Sequence, residues 1–308
     1  MKEYLKILLI ILIIDSLITN FFLKKTQFWE NEKWKKKHHR VQSQIYHHDL
    51  KPNIEAYEIW GGKLKRKIIT NSLGFRDSAK KKINKQTDKT RILLIGDSFI
   101  EGSGYDYEYT LSGLLANTLG NRYEVLNSAV ESYSPSIYYK KTEFYLSQGY
   151  DFDKALIFLD LSDIADDYYY NLNFDSNNEK KYKLRDHLQE LLIKNFSVYL
   201  FLDIIFKNIN SFKENILYRF KTAKKFNISF IDIEKKDVNL YKALNVERGN
   251  WTSNSTLWDL YGKNGIQLSN YYLNLLLELC SENNIKFSLV IYPWPNQIYY
   301  KQKNNLHT

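Results

Sequence analysis

The chain has 308 residues, a formal net charge of +9 and 44% hydrophobic residues, enough apolar surface for a substantial core, which excludes a disordered protein. Its one cysteine, Cys280, excludes an intrachain disulfide. Residues 1–90 hold 20 Lys and Arg against 9 Asp and Glu, whereas the rest of the chain holds 24 against 26. Because the basic residues flank an apolar segment and form no nucleic-acid reader motif, we expect attraction to anionic lipid and no nucleic-acid partner.

The chain opens with an apolar segment. Residues 4–23 approach the ~20 residues that a membrane-spanning helix needs, although Asp15 and Asn20 weaken insertion. No small-residue cleavage site follows before Lys24, which favours an uncleaved single-pass anchor over a signal peptide. We therefore predict a membrane anchor in residues 1–23 and a basic juxtamembrane segment with an N-terminal extension in residues 24–90.

The most informative stretch is an apolar strand that runs into a Gly-Asp-Ser turn. Residues 91–95 are strand formers, and Gly96, Asp97 and Ser98 follow them ahead of a helical pattern. A hydroxyl at the carboxyl end of a buried parallel strand is where α/β enzymes place nucleophiles. A turn that caps a helix explains the tripeptide equally simply, so the tripeptide alone does not decide.

Two later strands are predicted to end in polar loops at the same place. The first begins at Tyr123 and opens into a loop before a helix at Pro135; the second covers residues 154–160 and ends in a polar loop that contains Ser162. Helices expected over 110–120 and 134–149 make the connections parallel βαβ crossovers. Because the carboxyl ends of parallel strands meet at one sheet edge, the three loops are expected to form one site.

The remaining chain interrupts this alternation and then resumes it. Residues 166–263 are rich in Asn, Lys and Tyr and contain amphipathic patterns such as 196–206, so we interpret them as an insertion. It is expected to be a lid or substrate element, with a solvated helical hairpin as the alternative. The core resumes over 264–308 with a helix and a strand at 286–292. No phosphate-binding loop occurs, and we predict no cofactor.

Five short segments together carry a resemblance. They are Asn71–Asp77, Gly96–Phe99, Asn127–Val130, Ser162–Ile164 and Ile291–Ile298. This set resembles the SGNH (GDSL-type) hydrolase superfamily, and within it the membrane-associated proteins encoded with bacterial surface-polysaccharide genes. The resemblance implies an α/β fold of flavodoxin-like type, with three α/β/α layers and a parallel sheet, whose first part is 91–165 and whose second part is 264–308.

The resemblance also implies roles for individual residues. Ser98 is the nucleophile it implies, and the oxyanion donors are the amides of Ser98 and Ala129 and the hydroxyl of Ser162; Asp97 and Asp163 border the site. The superfamily usually has Gly at the position of Ala129 and Asn at that of Ser162. An alanine amide still donates, whereas a serine hydroxyl is shorter than a carboxamide.

The general base that the resemblance implies is missing. The superfamily draws it from an Asp-x-x-His segment near the C-terminus, and this chain contains none. The sequence ends at Thr308, soon after Tyr292–Pro295, so we expect it to lack the last strand-helix unit. His307 lies in a polar tail, and His187 falls on the polar face of a helical pattern.

The remaining histidines form two adjacent pairs, His38-His39 and His47-His48. No cysteine or carboxylate cluster accompanies them at metal-ligand spacing, so we predict no metal site. The stretch from Tyr46 to Asn53 resembles one in the polysaccharide-linked proteins of that superfamily, and this resemblance implies a place at the mouth of the site.

The function implied by the resemblance is that of a membrane-anchored serine esterase or acyltransferase. Its substrate would be an acylated carbohydrate, with acetyl as the expected acyl group, on an extracytoplasmic glycan. Under the positive-inside rule, the lysines that follow the anchor favour a cytoplasmic location for the rest of the chain. The resemblance implies an extracytoplasmic location, which we adopt. The alternative is a non-catalytic glycan-binding or polysaccharide-assembly protein of the same fold, which the missing Asp-x-x-His and the residues Ala129 and Ser162 favour.

Overall fold

The computed structural model describes residues 2–26, 28–29, 39–60, 64–173, 192, 195–202, 204–206, 209, 247–294 and 298. The chain divides into two units. The first is made of Met1–Lys33 and Phe174–Asp237, and the second of Trp34–Asn173 and Val238–Thr308. The expected insertion, 166–263, therefore contributes to both units.

The first unit contains the segment predicted to be a membrane anchor. It forms one helix, α1 (Lys2–Phe21), followed by a 3-10 turn at Leu23–Lys25. Residues 197–202 and 204–206 of the same unit are also helical. Among the residues that the structure describes, no helix combines the length and the apolarity needed to cross a membrane.

The second unit begins with two antiparallel hairpins in the N-terminal extension. Strand β1 (Arg40–Ser43) pairs with β2 (His47–Leu50), and β3 (Glu55–Trp60) pairs with β4 (Leu64–Ile69). No strand was predicted in this region from the sequence. The hairpins precede a turn at Asn71, whose side-chain oxygen accepts the N–H groups of Leu73 and Phe75.

A parallel sheet forms the centre of the second unit. It contains β5 (Thr90–Ile95), β6 (Tyr123–Asn127), β7 (Lys154–Leu159) and β8 (Lys286–Ile291) in the order β6-β5-β7-β8. Every described neighbouring pair is parallel. The predicted α/β class with a parallel sheet is thus confirmed, and β5 lies between β6 and β7.

The helices of this unit are α2 (Ser98–Glu101), α3 (Leu111–Leu119), α4 (Pro135–Ser147), α5 (Leu161–Asn173) and α6 (Lys263–Glu282). The hydroxyl of Thr110 caps α3 by accepting the N–H of Gly113, as expected. A π-helical segment at Trp258–Gly262 leads into α6. Because α2, α4 and α5 begin soon after β5, β6 and β7, the segments between these strands and helices gather at the carboxyl edge of the sheet.

The alternation of side chains along β5 divides the core between the two faces of the sheet. Leu93 and Ile95 join a cluster that includes residues of α4 and α6, such as Ile137 and Leu276. Ile92 and Leu94 join a second cluster, against which α3 packs. Helices therefore cover both faces of β5.

One predicted loop is wrong. The segment after β7 was expected to be a polar loop, but α5 begins at Leu161. The carboxylate of Asp160 accepts the N–H of Ser162, which satisfies a donor of the first turn.

Candidate functional site

Ser98 directly follows the turn between β5 and α2, at the carboxyl end of a central strand. A Cβ atom at Gly96 would lie 2.6 Å from a side-chain carbon of Ile100, so the close approach of turn and helix requires glycine. Asp97 is the N-cap of α2, and its Oδ1 accepts the N–H of Phe99 at 2.9 Å. Ser98 is the first helical residue, is half-buried and donates its hydroxyl to Asp97 Oδ2 at 3.2 Å. The hydroxyl is thus held at the sheet edge by a buried carboxylate.

Three buried carboxylates meet beside this serine. Oxygen atoms of Asp97, Asp160 and Asp163 all lie within 4.8 Å of one another. Burial, together with the nearby Asp160, raises the pKa of Asp97 to about 6. Burial and the charges of Asp160 and Asp97 raise the pKa of Asp163 well above its usual range. Like charges that are removed from water favour retention of protons within the group.

Hydrogen-bond donors surround the carboxylates. Asp160 accepts the Ser162 hydroxyl at 2.6 Å and the Trp294 indole N–H at 2.8 Å. Asp97 Oδ1 accepts the Tyr292 hydroxyl at 3.2 Å.

Only one of the two carboxylate oxygens of Asp163 accepts a hydrogen bond. Its Oδ2 accepts the Tyr138 hydroxyl at 2.8 Å, and its Oδ1 is buried without a hydrogen-bond partner. Five of the six oxygens in the trio therefore already accept hydrogen bonds. A hard cation would compete with these donors and with protons for the carboxylate oxygens.

The two further oxyanion donors predicted for the site are engaged elsewhere. The Ser162 hydroxyl donates to Asp160. The amide of Ala129, which is buried, donates to Asn127 Oδ1 at 3.1 Å. The amide of Ser98 is at the first position of α2, where no intrahelical acceptor exists. Asp160 accepts the hydroxyl of Ser162 and lies close to the carboxylates of Asp97 and Asp163, so Ser98, Ser162 and these aspartates lie at one edge of the sheet. Ala129 instead packs in a cluster with Ile100.

No described histidine is hydrogen-bonded to Ser98. His48 contacts the carbonyl of Glu131 through Nε2 at 2.7 Å, and its Nδ1 lies 2.7 Å from Nδ1 of His47. Burial lowers the pKa of His48 to about 4. His39 is buried with its Nε2 2.7 Å from Glu58. These imidazoles serve the contacts of the N-terminal hairpins, whereas His38, His187 and His307 lie outside the described residues.

Residues of the N-terminal extension form hydrogen bonds with the end of α2, the helix that carries Ser98. Glu101, the last residue of α2, is fully buried. Arg40 donates to both of its carboxylate oxygens, at 2.7 and 3.0 Å. Arg40 also donates to Glu58, and Arg76 donates to the carbonyl of Glu101. The segment Asn71–Asp77 therefore has a role that the sequence did not suggest, which is to supply a guanidinium to the end of this helix.

The aromatic residues after β8 were also missed as site residues. Tyr292 and Trp294 each donate to a carboxylate of the trio, and Tyr292 stacks on Phe99 with ring centroids 4.8 Å apart. A usable signal was their position, because they follow the last strand at the edge where the other loops meet.

No protein-family model and no curated protein sequence matches this chain. Family membership is therefore a proposal that depends on the five sequence segments and on the geometry of the site. The site contains a hydroxyl at the carboxyl end of a central parallel strand, hydrogen-bonded to a carboxyl group of raised pKa.

Proposed function

We propose that this chain is an SGNH-type serine esterase or acyltransferase with a flavodoxin-like three-layer fold. Its substrate would be an acyl ester, with acetyl as the first choice, of an extracytoplasmic glycan. The observation that carries the proposal is the position of Ser98, half-buried at the first residue of the helix that follows central strand β5. The loops after β6 and β7 end at the same edge, as in a site assembled from several strands.

In the proposed reaction, Ser98 Oγ attacks the ester carbonyl, and the sugar alcohol leaves as the acyl-serine forms. Water or a second sugar hydroxyl then takes the acyl group, which gives hydrolysis or transfer. Asp97 accepts the hydrogen bond of Ser98, and a carboxyl with a pKa of about 6 is a stronger base than an ordinary aspartate. It is weaker than an imidazole held by a carboxylate, so we expect slow acylation.

Aromatic side chains at the site support a carbohydrate substrate. Phe99, next to Ser98, is 67% exposed and stacks on Tyr292. Tyr105 and Tyr109 in the following loop are exposed as well. A flat, exposed ring offers an apolar face to the C–H groups of a sugar, and Phe99 is the residue next to Ser98 in the chain.

The test is acetylation of the full chain by an activated acetyl ester, followed by intact-mass measurement. We expect slow accumulation of one acetyl group, without a burst, and its loss in Ser98→Ala. Ser147→Ala is the matched control, since Ser147 is an exposed serine at the end of α4. Equal acetylation in Ser98→Ala and the parent chain would contradict the proposal.

A second function is favoured by one observation. The hydroxyl of Ser162 and the amide of Ala129 already have acceptors inside the protein, which suits a site that binds a glycan without catalysis. In that case Ser98→Ala would keep glycan affinity while Phe99→Ala would lose it, and no acetyl-serine would form in either.

The proposed location is a membrane, with the α/β unit on the extracytoplasmic side. Side chains of α1 such as Ile10, Ile11 and Leu17 are exposed, which supports attachment through this helix. Carbonate extraction of membranes from expressing cells tests the attachment, and release of the full chain would contradict it.

A further inference from the structure

In the described part of the first unit, α1 exposes apolar side chains and buries two polar ones. Apolar side chains of α1 are exposed along most of its length, among them Ile7, Leu9, Ile10, Ile11, Leu12, Ile13, Ile14, Leu17 and Ile18. Asp15 and Thr19 are instead buried. A helix that packs in water shows the reverse distribution, with its apolar face turned inward.

The buried polar side chains bind the start of a second helical segment, which comprises residues 197–202 and 204–206. The Ser197 hydroxyl donates to Asp15 Oδ1. The Ser197 N–H donates to Thr19 Oγ1 at 2.9 Å, and the Val198 N–H donates to Asp15 Oδ2 at 3.4 Å. These are amides of a first helical turn, which lack intrahelical acceptors. Asp15 and Thr19 therefore cap the second helical segment and satisfy polar groups that would be costly in an apolar medium.

The second helical segment also turns apolar side chains outward. Phe201, Leu202, Ile205 and Phe206 are exposed. Leu200 is buried in a small cluster with Trp29, and Leu23 and Ile204 pack against that cluster. The two helices thus bury the polar contacts between them and expose isoleucine and phenylalanine side chains. This distribution is expected in an apolar solvent rather than in water.

The lysines near the two ends of α1 indicate what this apolar solvent is. Lys6 near its start and Lys25 beyond its end are exposed, and the sequence continues with Lys33 and Lys35 to Lys37. Lysines at the ends of an apolar helix place their ammonium groups at headgroup level and attract anionic lipid.

We propose that the second helical segment is a lipid-contacting element, seated beside α1 in an anionic bilayer and held there by the contact of Asp15 and Thr19 with Ser197. This goes beyond attachment through α1, because it assigns to the membrane a part of the chain that was expected to cover the catalytic site. The two helices then form one lipid-facing pair.

The test uses single cysteines in the full chain, on a Cys280→Ser background. A polarity-sensitive fluorophore is attached at Ile205→Cys, at Ile11→Cys, or at the control Leu114→Cys, an exposed apolar position of α3. The protein is bound to vesicles of phosphatidylcholine and phosphatidylglycerol. We expect quenching by acyl-chain nitroxide lipids to be several-fold stronger at positions 205 and 11 than at 114, and aqueous iodide to show the opposite order. Lipid quenching at position 11 alone, or at neither position, would overturn the proposal.

The contact between the helices is tested with Ser197→Ala, which removes the hydroxyl bound to Asp15. We expect this variant to lose lipid quenching at position 205 by a several-fold factor while position 11 keeps it, and Ser197→Thr to restore it. An unchanged signal at position 205 would overturn the role of the contact. Because acetylation of Ser98 is measured separately, failure here is distinguishable from failure of the proposed enzyme function.

Discussion

The ammonium group of Lys141 on α4 lies 2.8 Å from the carboxylate of Asp49 on β2, and both side chains are buried. Lys141 also donates to the Tyr133 hydroxyl and lies within 5.5 Å of the ring centres of Tyr46, Phe75 and Tyr133. Burial lowers the pKa of this lysine. The pair joins the first N-terminal hairpin to the α/β core, and its charges depend on each other because water does not reach them.

Lys141→Met leaves the Asp49 carboxylate buried and unpaired. We expect the free energy of unfolding to fall by about 3–5 kcal/mol, as measured by urea denaturation. Adding Asp49→Asn removes the stranded charge, so the double variant is expected to be more stable than Lys141→Met alone. A double variant that is as unstable as the single one would contradict this account. Lys140→Met, at the partly exposed neighbouring position, is the control and is expected to change stability little.

Arg40 is predicted to position the helix that carries Ser98, since it forms hydrogen bonds with both Glu58 and Glu101. Arg40→Lys keeps the charge but loses the planar fork that reaches two carboxylates. We expect a loss of about 1–3 kcal/mol in urea denaturation and slower acetylation of Ser98. Arg122→Lys on the surface is the control. Full stability in Arg40→Lys would show that the charge alone suffices.

The elements that the sequence predicted well are those with local signals. The predicted strand 91–95 corresponds to β5 (Thr90–Ile95), and the helix predicted over 110–120 corresponds to α3 (Leu111–Leu119). Apolar runs of strand formers and a threonine cap before a leucine pattern are sufficient for such predictions.

The hydrogen bonds between the N-terminal extension and α2 could not be predicted in the same way. Arg40 and Glu101 are 61 positions apart, and no local pattern reports which arginine meets which glutamate after folding. The partners of Ala129 and Ser162 are different, because Asn127 and Asp160 lie two residues before them. Short polar side chains often accept hydrogen bonds from backbone or hydroxyl groups two residues away. These two contacts could therefore have been predicted from the sequence, but the resemblance to a catalytic family favoured oxyanion donors at Ala129 and Ser162 instead.

Gly102 is predicted to be essential for the end of α2. Its φ is +80°, and a Cβ atom there would lie 2.3 Å from Thr110 Cγ2 and 3.2 Å from Arg76 Nη1. Gly102→Ala therefore adds a steric clash to left-handed strain, and we expect a loss of about 2–4 kcal/mol in thermal or urea denaturation. Gly149→Ala is the matched control, because Gly149 has a φ of +83° but no atom closer than 3.8 Å to the added Cβ. Equal losses in the two variants would contradict the clash.

Asp97 is predicted to make stability depend on pH. Its pKa is raised to about 6 by burial and by Asp160, whereas an aspartate in the unfolded chain titrates near ~4. The folded state therefore holds the proton more tightly, so the stability contributed by this group is fully present below pH ~4 and is lost as pH rises through about 6.

Asp97→Asn removes this titration and keeps an oxygen for the N–H of Phe99. We expect the stability of Asp97→Asn relative to the parent chain to increase by on the order of 2 kcal/mol between pH ~4 and ~7 and then to level off. Urea denaturation at several pH values measures this difference. Ser98→Ala retains the carboxyl group, so it should follow the pH dependence of the parent chain with little change in stability. A difference between Asp97→Asn and the parent that stays constant across this range would show that Asp97 is already ionised at acidic pH, and it would remove the reason for treating this carboxylate as the base for Ser98.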